Sequence, residues 1–148
     1  MQRLNIATLI LDDDRDMLMF IEDALKENHI TNYHLFQEDA SFLEKIGENM
    51  HILVIDHHLN AGLTGLDVMA RAIEKNPNVF VIAMSGTSDP QLIVDYLNGG
   101  CNRFILKERK DYLHKLVEYI KAGIDRFMRD MEFFRRQEQH LGFTIPTN

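Results

Sequence analysis

Short apolar runs alternate with amphipathic stretches over most of the chain. The runs predict strands at residues 4–11, 32–36, 52–56, 79–84 and 103–106. The stretches between them carry apolar residues at helical spacing and predict helices at 16–28, 39–46, 65–75 and 90–98. Because residues 52–55 show no polar alternation, that run is typical of a central strand covered on both faces. The pattern predicts an α/β fold, a five-stranded parallel sheet doubly wound by helices.

A longer helical pattern begins at Asp111 and continues to about residue 141. Its apolar residues recur in steps of four and three, as in a heptad repeat: Leu113, Val117, Ile120, Ile124, Phe127, Met131 and Phe134. We expect the part up to Ile124 to pack on the sheet and the later apolar residues to be exposed in a monomer. This predicts a homodimer through a coiled coil, with the seam formed by Ile124, Phe127, Met131 and Phe134. The alternative is that the helix folds back on the body before it ends near Gly142.

Length and composition limit the class of protein. With 148 residues, the chain predicts one domain at 1–123, a helical extension at 124–141 and a tail at 142–148. Apolar runs are far shorter than the ~20 residues of a membrane span, and the start lacks the pattern of a secretory signal. The single cysteine, Cys101, favours a reducing cytoplasm. The net charge of −7 argues against direct binding of nucleic acid.

Polar side chains follow four of the predicted strands at the point where each strand ends. Residues 12–14 are all aspartate, and Asp56 ends the third run. Ser85 follows the fourth run and Lys107 follows the fifth. Ligand sites of doubly wound sheets lie outside the carboxyl ends of the strands. These side chains are therefore predicted to meet in one site.

The residue types in this predicted site favour phosphoryl chemistry. Asp12, Asp13 and Asp56 offer hard oxygen ligands, which favour Mg²⁺ over zinc. A carboxylate beside Mg²⁺ can attack phosphorus and form an aspartyl phosphate. The transfer needs a positive charge and a hydroxyl directed at the phosphoryl oxygens. Lys107 and Ser85 supply these two groups.

The seven histidines do not predict a zinc site. His57 and His58 are adjacent, so we expect their side chains to point in different directions, and no third histidine completes a ligand set. We expect the remaining five on the surface: His29, His34, His51, His114 and His140.

In order and spacing, the residues at the strand ends resemble the response-regulator receiver domain of two-component signalling, a chemotaxis-regulator-like phosphoacceptor domain. The resemblance covers about residues 4–123. It implies the flavodoxin-like strand order 2-1-3-4-5 and a signalling phosphoacceptor rather than an enzyme. It also implies a histidine kinase or phosphotransfer protein as the phosphoryl donor. The C-terminal helix would then carry the signal to a partner chain or a downstream output domain.

The resemblance assigns the metal and phosphoryl positions. Asp56 matches the phosphoacceptor at the end of the third strand. Asp12 and Asp13 match the acidic pair that binds Mg²⁺ together with Asp56, and Mn²⁺ is expected to substitute. His58, two residues after Asp56, matches the position whose backbone carbonyl binds the metal.

The resemblance also assigns the groups that respond to phosphorylation, with some departures. Ser85 and Lys107 match the groups that assist phosphoryl transfer, and Ser85 and Phe104 match the switch pair. Glu108 stands where the family usually has proline, and Leu59-Asn60 replaces a Met-Pro pair. Phe104 lacks the hydroxyl of the commoner tyrosine. Because no reacting group is missing, we expect a competent receiver.

Two other functions remain open at this point. One is a dimerisation scaffold on the same fold that works without phosphorylation, which Glu108 and the altered loop after Asp56 favour. The other is a haloacid-dehalogenase-type phosphatase that would use Asp12 and Asp14, with Asp12 as its nucleophile. The late acidic pair of that family has no match in this sequence.

Overall fold

The computed structural model describes residues 6–60 and 62–142. The strands within these residues are β1 (Ile6–Leu11), β2 (Tyr33–Phe36), β3 (Met50–Asp56), β4 (Phe80–Ser85) and β5 (Arg103–Leu106). The helices are α1 (Arg15–Glu27), α2 (Asp39–Lys45), α3 (Gly65–Lys75), α4 (Pro90–Asn98) and α5 (Tyr112–Leu141). Strands and helices alternate along the chain as predicted. The predicted start of the first strand, at residues 4–5, lies outside the described residues.

The five strands form one parallel sheet in the order β2-β1-β3-β4-β5, which confirms the predicted fold class. The register sets Leu11 beside Ile55 and Asp56 beside Met84. Because parallel strands in this register end at the same edge, the residues that follow β1, β3, β4 and β5 come close together.

Side chains of the strands alternate between two apolar layers. Leu9, Leu53 and Val81 point into the layer that is covered by α2, α3 and α4. Ile10 and Val54 point into the opposite layer, which is covered by α1 and α5. Both faces of the sheet are therefore buried, as the uninterrupted apolar runs predicted.

The helices near the carboxyl edge begin at defined capping residues. The Asp14 carboxylate accepts hydrogen bonds from the backbone N–H groups of Asp16 and Met17, at 3.0 and 3.3 Å, and so caps α1. Thr64 and Asp67 form a reciprocal capping box at the start of α3. These caps direct Asp14 to the start of α1 and leave Asp12 and Asp13 as the acids at the end of β1.

Two predicted seam residues, Ile124 and Phe127, pack against the body of the protein. Phe127 is only 6% exposed and lies in the same apolar cluster as Ile52 and Phe80, so the expectation that it is exposed in a monomer was wrong. A Cβ atom on Gly123 would lie 2.8 Å from the Phe80 ring and 3.0 Å from Ile52. Glycine therefore lets α5 approach the sheet closely, and the face defined by Leu116, Ile120, Gly123 and Phe127 stays buried for one turn longer than predicted.

Beyond Phe127 the helix continues without the sheet beneath it. We call residues 128–141 of α5 the outer helix. Four of its apolar side chains are about half exposed or more: Met128, Phe133, Phe134 and Leu141. Met131 is half-buried. Gly142 ends α5 with a left-handed backbone, φ 72°. The predicted tail from residue 143 onward lies outside the described residues.

One histidine that the sequence predicted on the surface lies in the interior. His51 is buried, 4% exposed, and not on the surface as expected, because it lies on the central strand β3. Cys101 is a buried free thiol. Among the described helices, none combines the length and the apolar character that a membrane crossing requires.

Candidate functional site

Three carboxylates converge at the carboxyl edge of the sheet. Asp12, Asp13 and Asp56 each place an oxygen within 4.8 Å of the others, and we call this group the carboxylate cluster. Asp12 is fully buried and Asp56 is 3% exposed, whereas Asp13 is half-buried. The parallel pairing of β1 with β3 accounts for the convergence, because the two strands end side by side.

A single lysine bridges two members of the cluster. Lys107 Nζ lies 2.9 Å from Asp12 Oδ2 and 2.9 Å from Asp56 Oδ1. The Lys107 backbone N–H donates to the Ser85 carbonyl at 2.8 Å, which ties the end of β5 to the end of β4. In the described part of the chain, the carboxylate partners of this ammonium are Asp12 and Asp56 and do not include Glu108. One positive charge thus faces three carboxylates.

Burial and charge crowding alter the acidity of the bridged groups. Burial raises the pKa of Asp56 to about 6; the nearby charges of Asp12 and Asp13 add to the rise, and Lys107 opposes it. Burial alone would lower the pKa of Lys107, but its close ion pairs with Asp56 and Asp12 raise the pKa above the usual value. Lys107 is therefore charged at neutral pH, and most Asp56 side chains are ionised.

Two oxygens of the cluster lack hydrogen bonds from the described residues. Asp13 Oδ2 and Asp56 Oδ1 are buried, and the second has only the Lys107 ion pair at an angle unsuited to a hydrogen bond. Buried carboxylate oxygens are costly without partners. A divalent cation bound by oxygen ligands would satisfy both, and Mg²⁺ prefers such ligands. The residues present fit this metal.

Ser85 ends β4, the strand next to β3, and Phe104 lies on β5, the strand on the far side of β4. Ser85 is fully buried, and its Oγ accepts a hydrogen bond from the Thr87 backbone N–H at 3.1 Å and lies 3.2 Å from Thr87 Oγ1. Sequence reasoning missed Thr87, which stands in an ordinary turn sequence. Phe104 is half-buried on β5, and its ring centroid lies 5.5 Å from that of Tyr96.

A histidine–tyrosine pair adjoins the site and was also missed. His57 Nδ1 and Tyr96 Oη are 2.7 Å apart, although 39 residues separate them along the chain. Burial lowers the pKa of His57, with a further contribution from His58, and burial raises the pKa of Tyr96. The His57 and His58 rings pack edge to face at 4.9 Å, so the expectation that they point apart was wrong. Neither joins the carboxylate cluster.

The phosphatase interpretation of the sequence does not match the site. That interpretation requires Asp12 and Asp14 to act together. Asp14 is exposed and caps α1, whereas Asp56 takes its place among the clustered carboxylates. The geometry therefore favours an interpretation centred on Asp56.

Comparisons with known proteins identify the fold and the family. Among solved structures, the chain is similar to a CheY-like response regulator receiver domain protein from Methanospirillum hungatei JF-1. The identity is 23%, the TM-score is 0.73, and the match covers 86% of this chain and 99% of that one. It is also similar to the response regulator DrrB, a Thermotoga maritima OmpR/PhoB homolog, at 20% identity and a TM-score of 0.69. That match covers 81% of this chain but only 52% of DrrB.

A third neighbour is a response regulator protein from Burkholderia pseudomallei that was solved with a phosphorylated aspartic acid, a calcium ion and citrate. It matches at 13% identity with a TM-score of 0.65, over 92% of this chain and 85% of that one. These likenesses show the fold. No curated protein matches the sequence. The family model described as the response regulator receiver domain matches residues 8–125. The chain therefore belongs to the response regulator receiver domain family, whose members are signalling phosphoacceptors.

Proposed function

We propose that this receiver accepts a phosphoryl group on Asp56 from a histidine kinase or phosphotransfer protein. The observation that carries the proposal is the convergence of Asp12, Asp13 and Asp56 within 4.8 Å around one bridging lysine. The Burkholderia neighbour, which contains a phosphorylated aspartic acid, supports the same chemistry.

The reaction is a transfer between two nucleophiles. An Asp56 carboxylate oxygen attacks phosphorus, the bond from phosphorus to the donor nitrogen breaks, and its electron pair returns to the donor imidazole. Lys107 places positive charge where the phosphoryl oxygens gather, and the Ser85 hydroxyl donates to one of them after leaving Thr87. Because the pKa of Asp56 is about 6, most of its carboxylate is available at neutral pH.

Mg²⁺ is the proposed cofactor. Asp12, Asp13, Asp56 and the backbone carbonyl of His58 would hold it, and it would neutralise charge on the phosphoryl oxygens. The two buried carboxylate oxygens without hydrogen bonds support this assignment. Mn²⁺ is expected to substitute, because it accepts the same oxygen ligands.

Ser85 and Phe104 are the proposed switch, and the outer helix is the proposed route to a partner. The exposed apolar residues of the outer helix support a homodimer seam, in which Phe133, Phe134 and Leu141 replace the buried Phe127. Because the chain spans about half of DrrB, a downstream output domain is a further proposed partner. Cytoplasmic location and lack of direct nucleic-acid binding stay predictions.

The proposal is tested by intact-protein mass after incubation with acetyl phosphate. We expect a single phosphoryl adduct that requires Mg²⁺ or Mn²⁺, is labile to hydroxylamine and is lost in Asp56→Ala. Asp23→Ala, which removes an exposed acid on α1, serves as the matched control and keeps the adduct. A folded wild type that never gains an adduct would contradict the proposal and favour the scaffold.

A further inference from the structure

One hydrogen bond attaches the segment after Asp56 to helix α4. His57 Nδ1 and Tyr96 Oη share it at 2.7 Å, and either atom can donate, depending on which imidazole nitrogen carries the proton. Tyr96 is fully buried. His57 stands between the proposed phosphoacceptor and His58, whose carbonyl is a proposed metal ligand. Tyr96 thus contacts the residue that joins two parts of the site.

The same hydroxyl lies at a junction of three elements. A Cβ atom on Gly65 would stand 2.6 Å from Tyr96 Oη, 2.4 Å from the Asp56 carbonyl and 2.7 Å from His57 Cα. Only glycine fits such an approach. Gly65 N–H also donates to the His57 carbonyl at 3.0 Å, and His57 N–H donates to the Met84 carbonyl at 2.9 Å. The end of β3, the start of α3 and the last turn of α4 therefore meet at the Tyr96 hydroxyl.

The Tyr96 ring also contacts the proposed switch residue. Its centroid lies 5.5 Å from the His57 ring and 5.5 Å from the Phe104 ring. Because Tyr96 is fully buried between them, Phe104 cannot move inward without repacking against it. The three rings form a continuous path from the loop after Asp56 to β5.

We propose that Tyr96 is a positioning residue that holds the His57–His58 segment for metal binding and couples that segment to Phe104. The inference rests on the proposed function of the Asp56 site. A phenylalanine would fill the same apolar space without burying a hydroxyl. The hydroxyl and its bond to His57 are therefore the part of Tyr96 that packing alone does not explain.

The test removes the hydroxyl and keeps the ring. For Tyr96→Phe we expect Mg²⁺ to bind about three- to tenfold more weakly, which is the size of effect that one net hydrogen bond produces. Amide NMR titration with Mg²⁺ measures the dissociation constant directly. We also expect the Asp56 adduct to form more slowly by a similar factor, and the Phe104 amide to respond less to Mg²⁺ than in wild type.

Tyr33→Phe is the matched control. Tyr33 Oη donates to Glu22 Oε2 at 2.8 Å on the α1–β2 side of the protein, so the same hydroxyl is lost at a different place. This variant is expected to bind Mg²⁺ as wild type does. His57→Leu removes the other partner, and the double variant with Tyr96→Phe should lose no more affinity than either single variant.

The outcomes separate the inference from the proposed function. If wild type neither binds Mg²⁺ nor gains an adduct, the proposed function fails and takes the inference with it. If wild type does both and Tyr96→Phe behaves like Tyr33→Phe, only the inference is overturned. A lower melting temperature with an unchanged Mg²⁺ constant, or additive losses in the double variant, would reduce Tyr96 to a structural role and would also overturn it.

Discussion

The carboxylate cluster and the outer helix both depart from the usual distribution of polar and apolar groups, but in opposite directions. The cluster buries three acids with one lysine, and two of their oxygens accept no hydrogen bond from the described residues. The outer helix exposes large apolar side chains, among them Phe133 at 58%. Buried charge is costly unless it is paired, and exposed apolar patches usually mark contact surfaces. This contrast supports the proposals of a small cationic ligand for the first region and a protein partner for the second.

Helix α5 contains the boundary between its packed inner part and the exposed outer helix, and one substitution tests where that boundary lies. Phe127→Ala should lower the free energy of unfolding by about 3–4 kcal/mol, because it opens a cavity in the layer under α5. Urea unfolding measures the change. Phe133→Ala, an exposed aromatic two turns further along, should change the unfolding free energy by less than about 0.5 kcal/mol. Equal losses of unfolding free energy at the two positions would contradict a boundary just after Phe127.

Removing the carboxylate charge of Asp56 tests whether burial and charge repulsion in the carboxylate cluster destabilise the fold. The pKa of Asp56 in the folded state is about 6, above the ordinary 3.8. Between about pH 4 and pH 6, the Asp56 carboxyl is therefore protonated in the folded state and ionised in the unfolded state. The contribution of Asp56 to stability should therefore fall as pH rises from about 4 to 6. Asp56→Asn should be more stable than wild type by up to about 3 kcal/mol at pH 7.5 without metal, and the difference should vanish below about pH 4.

The measurement is chemical unfolding of both proteins across this pH range. Asp23→Asn, which removes an exposed carboxylate, is the control and should show no such convergence at low pH. A wild type more stable than Asp56→Asn at pH 7.5 would show that Lys107 outweighs burial at this site.

Lys107 carries the positive charge of the same cluster, and its removal tests how much that charge stabilises the fold. Lys107→Met removes the cation that faces Asp12 and Asp56, and we expect a loss of about 2 kcal/mol in unfolding free energy at pH 7. Saturating Mg²⁺ should recover part of it, because the metal binds only the folded cluster. Lys115→Met, which removes a partly exposed ion pair with Glu118, should change stability by less than about 0.5 kcal/mol. If Mg²⁺ recovered none of the lost unfolding free energy, the result would contradict a metal site.

The outer helix should show the smallest effect on stability and the clearest effect on assembly. At a protein concentration low enough to keep both proteins monomeric, Phe133→Glu combined with Phe134→Glu should leave the unfolding free energy of the body within about 0.5 kcal/mol of wild type. The molar mass from light scattering should change from dimer to monomer, since two charges would be placed on the proposed seam. An unchanged mass would reject the dimer seam at these residues.

The sequence predicted best those features that depend on neighbours along the chain. Helix α4 begins and ends as predicted, because Asp89 and Pro90 form its start and Asn98 precedes two glycines. Asp56 and Lys107 could be predicted to lie near each other because parallel strands end at one edge. The structure places Lys107 Nζ and Asp56 Oδ1 2.9 Å apart.

The incorrect or missed predictions depend on tertiary contacts, which a local sequence pattern does not show. A heptad repeat does not reveal that Gly123 lets α5 approach Phe80, and so Phe127 was placed in the seam. The His57–Tyr96 bond joins residues that are distant in sequence, and no motif marks it. His51 is a polar residue, but it is buried because it lies on the central strand β3.

The most direct test of the central claim is to locate the phosphoryl group on the chain. Borohydride reduces an aspartyl phosphate to homoserine, so peptide mass spectrometry after acetyl phosphate, Mg²⁺ and borohydride reports which aspartate was modified. We expect homoserine at position 56 only, and none when EDTA replaces Mg²⁺. Homoserine at position 12 or 13, or at position 56 without any divalent metal, would contradict it.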